Sequence, residues 1–101
     1  MDDEFKGIMK LAEGLMTLRK EAVKVNMAFY VPEVQSLVES NSKDIRRIEH
    51  ALDTLLDVAF DDDVLLLFKK LCRHYYFIDP QATVKYIYGY RDMWGEDSED
   101  D

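Results

Sequence analysis

Between Phe5 and Tyr30 the apolar residues stand in columns seven apart. Ile8, Leu15, Ala22 and Phe29 make one column, and Met9, Met16, Val23 and Tyr30 a second. Leu11, Leu18 and Val25 make a third, and Phe5 and Ala12 begin a fourth. The columns between them hold Lys10, Thr17 and Lys24, then Lys6, Glu13 and Lys20, then Gly7, Gly14 and Glu21. A seven-residue repeat is two turns of an α-helix and clashes with the two-residue alternation of a half-buried strand, so the spacing predicts an amphipathic helix. Four apolar columns of seven form a face too wide for one neighbour. The pattern therefore places helix 1 centrally, against at least two other elements. Gly7 and Gly14 each cost roughly 1 kcal/mol of helix propensity relative to Ala, and their heptad spacing suits a close helix approach. Asp2, Asp3 and Glu4 suit a helix N-terminus, where the macrodipole favours negative charge.

Pro32 stops that helix or starts the next, because proline fits a first helical turn and pushes Val31 out of helical geometry. A second series follows: Val34, Val38, Asn41, Ile45, Ile48, Leu52, Leu55 and Ala59, in unbroken steps of four and three. That phase favours a single helix over about 32–60, with Asn41 as a polar seam position that could set register or partner number. The rival is a break at Ser40-Asn41-Ser42, with Asn41 or Ser42 capping a new helix. Asp61-Asp62-Asp63 reads as an N-cap and acidic first turn for Val64–Tyr76. Asp79-Pro80 reads as an N-cap with proline at the first helical position, and Gly95 as the end of that last helix.

With 4 Gly and 2 Pro in 101 residues, the chain lacks material for the many tight turns of a sandwich or barrel. The expected fold is all-α: a bundle of four helices, or five if the chain breaks at Asn41. Two long N-terminal helices precede a shorter, aromatic-rich helical hairpin. Residues 1–95 read as one domain. The net charge is −8, and Glu96, Asp97, Glu99, Asp100 and Asp101 supply five of those negatives, leaving −3 for residues 1–95. Residues 96–101 therefore read as a solvated, disordered acidic tail.

Several function classes lose support on composition. The single cysteine, Cys72, points to a reducing compartment. The N-terminus carries acid where a secretory signal needs base, and no apolar run approaches a membrane span, so the expected location is cytoplasmic, with no membrane partner. Neither His50 nor His74 has a glutamate three residues before it, as inward-facing di-iron ligands on helices require. No HExxH or glycine-rich phosphate loop occurs. Arg46 and His50 have three residues between them, too few for the Arg–His pair of HEPN-type helical ribonucleases. Basic residues fall in clusters of two or three, short of the continuous basic face that nucleic acid needs. No cofactor is expected. Glu49, Asp53 and Asp57, four apart on helix 2, form one acidic row that could serve a metal-dependent hydrolase. Its simpler reading is a solvated face with local ion pairs.

The unusual feature is aromatic. Tyr75, Tyr76, Phe77, Tyr86, Tyr88, Tyr90 and Trp94 fall within twenty residues, and on two helices they cannot all point inward. Tyr and Trp bury large areas while keeping a polar tip, which suits them to interface anchors. The leading expectation is a non-enzymatic protein acting through protein–protein contacts, with a partner or with itself. Tyr76, Tyr86, Tyr90 and Trp94 are the expected anchors. One alternative is an acidic inhibitor that mimics nucleic-acid charge towards a nucleic-acid-binding protein. A second is the acidic-row hydrolase.

Overall fold

The structure, a computed structural model, describes residues 2–95, with backbone alone for residues 2–5, Ala12 and Met16. The acidic tail expected at 96–101 lies outside the described residues. Among the described residues there are four helices and no strands: α1 Asp2–Glu39, α2 Ile45–Asp57, α3 Asp62–Tyr76 and α4 Pro80–Met93. The all-α bundle is as the sequence predicts. Its partition is not.

The rod expected over 32–60 is two helices. Asn41 adopts φ 52°, the left-handed conformation that asparagine tolerates better than other residues with a Cβ. Around it the amide of Ser42 donates to the Leu37 carbonyl at 2.9 Å, and that of Asn41 to Val38 at 3.1 Å. This pair of bonds is a Schellman motif, which satisfies carbonyls at the end of α1. Asn41 therefore closes α1 and does not cap α2. The α2 cap is Asp44, whose carboxylate accepts from the Arg47 amide at 3.2 Å. His74 Nε2 donates to the Ser42 carbonyl at 2.8 Å, fixing this turn to α3.

Pro32 also departs from expectation, since it lies inside α1. Proline deprives the Ala28 carbonyl of its helical donor. Ala28 and Pro32 both sit on the exposed side, where solvent can meet that carbonyl, so the helix continues. The two caps read from sequence hold. Asp61 accepts from the amides of Asp63 and Val64, and Asp79 accepts from Ala82, with Pro80 opening α4.

The core lies where α1 from Val23 onward meets α2 and α3, with α4 covering α2 and α3 and not reaching α1. Val34, Leu37, Ile48, Leu52, Leu55, Val64, Leu71 and Tyr75 are wholly buried. Thr83 is buried with its hydroxyl satisfied by the Asp79 carbonyl at 2.8 Å. A bidentate Glu33–Arg47 ion pair links α1 to α2 at the edge of this core.

Helix 1 is not central. Every described side chain from Lys6 to Ala22 is exposed. The radius of gyration is 16.8 Å, against about 13 Å for a compact chain of this size. The longest dimension, 57 Å, matches a 38-residue helix at 1.5 Å rise per residue. α1 is a rod whose C-terminal half is docked and whose N-terminal half overhangs.

Candidate interaction surface

At 100° per residue the apolar columns of α1 resolve into two seams roughly 120° apart. The first runs through Val23, Met27, Tyr30, Val34 and Leu37 and is docked on the bundle. The second runs Ile8, Leu11, Leu15, Leu18, Ala22, Val25 and Phe29, in steps of three and four throughout. It touches nothing. Its six large members are between 60% and 71% exposed, and Ala22 is exposed as well.

This is an a/d heptad stripe of the kind that seats knobs into holes on a facing helix. At about 100 Å² per side chain, it makes a patch of roughly 700 Å², larger than the biggest apolar patch on a typical monomer. The glycines belong to the same face. A Cβ at Gly7 or Gly14 would meet nothing within 4 Å, so their expected close helix approach is not made inside the chain. The sequence pattern required two neighbours for this helix, and the fold supplies them along one seam only. The columns were legible; what was not legible is that the other three described helices cover only one of the two seams.

The expected tyrosine anchors are spread over different surroundings. Tyr86, Tyr90 and Trp94 are partly buried and pack against the core. Tyr86 donates to Asp53 at 2.8 Å, Tyr90 lies 6.2 Å from the Phe68 ring, and Trp94 donates to the Leu56 carbonyl. Tyr76 is exposed, beside the still more exposed Phe77. The four do not form one surface.

The acidic row meets these tyrosines. Glu49 accepts the Tyr75 hydroxyl at 2.5 Å and Asp53 that of Tyr86, while Asp57 stays exposed. Burial first, and then the carboxylate partner, holds both phenols above their ordinary range. Among the described residues no cluster of three His, Cys, Asp or Glu side chains is placed to hold a metal.

A cleft of about 350 Å³ opens between α3 and α4, lined by Leu65, Phe68, Cys72, Thr83, Ile87 and Tyr90, with Lys69 and Arg73 also contributing. That volume is at the small end for ligand sites. Its Cys72 thiol is pushed up to about 12 by burial, which leaves it protonated and a poor nucleophile. The Thr83 hydroxyl there is already committed to Asp79. Among the described residues no helix is long and apolar enough to cross a membrane. Comparison with protein-family models, with curated proteins and with solved structures finds nothing that matches this chain.

Proposed function

We propose that the protein is a non-enzymatic interaction module that docks through the open heptad seam of α1. One observation carries the reading: seven apolar positions in unbroken three–four spacing are all exposed on a helix whose other seam is buried. Apolar area of this size on a rigid helix favours association through the hydrophobic effect. The regular spacing favours a helical partner face over an irregular one. The N-terminal rod offers more open apolar surface than the C-terminal aromatic residues, since Tyr86, Tyr90 and Trp94 already pack against the core. Tyr76 and Phe77 remain a smaller exposed aromatic corner.

The test is site-specific photo-crosslinking of the full chain in its native host. A benzophenone side chain replaces Leu15, on the seam, or Lys20, on the far side of the helix. A heavier crosslinked species is expected from position 15 and none from position 20. No crosslink at position 15 would overturn the reading.

A further inference from the structure

We infer that the occupant of the open α1 seam is the same seam of a second copy of this chain. The inference rests on the interaction reading above and names its partner.

Self-complementarity is the first argument. A three–four stripe is filled best by another of equal length, and this chain carries one. Its flanks permit the match. The flanking positions on α1 hold Gly7, Gly14, Ala12 and Asn26, and the charges among them are Arg19 and Glu21, of opposite sign; Arg46 and Arg47 of α2 come near only at the seam's end, beside Val25 and Phe29. In a parallel pair, flanking residues five apart face each other. Gly14 then meets Arg19 of the other copy, and Glu21 meets Asn26. In an antiparallel pair with Leu15 facing Leu18, Gly14 meets Glu21 and Ala12 meets Arg19. Neither arrangement brings like charges together.

Area is the second argument. Two copies of the stripe bury roughly 1,400 Å² at about 100 Å² per side chain, within the span of roughly 1,200–2,000 Å² that stable interfaces occupy. Geometry is the third. The docked seam lies about 120° away around the helix, so a second rod can lie along the overhang from Ile8 to Ala22 without displacing α2 or α3. The overhang also needs such support. An isolated helix of about fifteen residues is marginal in water, and among the described residues every side chain from Lys6 to Leu18 is exposed. A second copy supplies the missing tertiary contact.

The test measures the mass of the purified full chain by light scattering after size exclusion. The expected mass is twice 11.9 kDa. The double substitution Leu15→Glu, Leu18→Glu is expected to give monomer, with the near-ultraviolet signal of Trp94 unchanged, because both side chains are exposed and remote from the core. Lys6→Glu, on the far side of the helix, is expected to remain dimeric. A monomeric wild-type chain overturns the inference, as does a double variant that stays dimeric. If the wild-type chain is monomeric while the Leu15 crosslinker captures a different protein, the second copy falls and the interaction reading stands. If it is monomeric and nothing is captured, both fall.

Discussion

The indole N–H of Trp94 donates to the backbone carbonyl of Leu56 at 2.7 Å, tying the end of α4 to the last turn of α2. The Phe60 ring lies 5.3 Å from the indole, and the Arg19 guanidinium sits 4.7 Å above Phe60. One stack thus joins α4, the α2–α3 turn and α1. Trp94→Phe keeps an aromatic ring and loses the donor, so it is expected to cost about 1 kcal/mol, the net worth of one hydrogen bond. Trp94→Ala also removes the packing against Phe60 and is expected to cost about 2–3 kcal/mol. Urea denaturation followed by far-ultraviolet circular dichroism measures both; equal losses would show that the ring contributes nothing.

Asn41 sits at φ 52°, where a β-branched residue is strained and glycine is at ease. Asn41→Gly is expected to leave stability unchanged or to raise it by a few tenths of a kcal/mol. Asn41→Val is expected to lower it by about 1–2 kcal/mol. Denaturation midpoints of the two variants, measured side by side, decide it. A Val variant as stable as the Gly variant contradicts the left-handed turn.

The same residue explains what the sequence could not disclose. The four–three phase runs from Val34 to Ala59 without interruption because the turn at 40–44 happens to span the number of residues that keeps step. Val34 and Leu55 then enter one core from two separate helices. Periodicity records which residues are apolar along a helix and is blind to a reversal that preserves the count. Asp61 and Asp79-Pro80 were legible because capping is local chemistry, decided within four residues. The role of α1 was legible only by half. Its columns specify two seams, but what covers each depends on how many other helices exist and where they turn.

Cys72 is buried, and its thiol is pushed up to about 12 by desolvation. The thiolate is the reactive form, so alkylation of the native chain near neutral pH is expected to be slow and to accelerate only when the fold opens. Iodoacetamide labelling in native buffer and in denaturant, read by mass spectrometry, checks this. Rapid native labelling would show that the α3–α4 cleft exposes the sulfur.

Tyr75 and Tyr86 are held above their ordinary range, chiefly by burial and then by Glu49 and Asp53. Folding therefore favours the neutral phenols. Their contribution to stability is whole below the unfolded phenol range near 10 and is lost as pH rises through the folded values. Stability is expected to fall above about pH 10. The fall should be less steep in Tyr86→Phe, which removes one of the two phenols. Melting temperatures across that range, with phenolate absorbance recorded alongside, test the assignment. An identical slope in Tyr86→Phe would exclude this tyrosine as a contributor.

The overhang gives the remaining prediction, because a partner that binds only the folded state raises stability by mass action. The melting temperature of the full chain is expected to rise with protein concentration. A chain beginning at Arg19 keeps every described side chain that packs into the core, since among the described residues the first of these in α1 is Val23. It also keeps Arg19 over Phe60. It loses Ile8, Leu11, Leu15 and Leu18, and with them most of the open seam. The shortened chain is therefore expected to fold and melt cooperatively at a temperature independent of concentration. Calorimetry of both chains over a hundredfold dilution reads the difference. An unfolded shortened chain would show that residues 2–18 stabilise the body, against the exposure of the described side chains from Lys6 to Leu18. Were the full chain's melting independent of concentration, the open seam would contribute nothing to its stability.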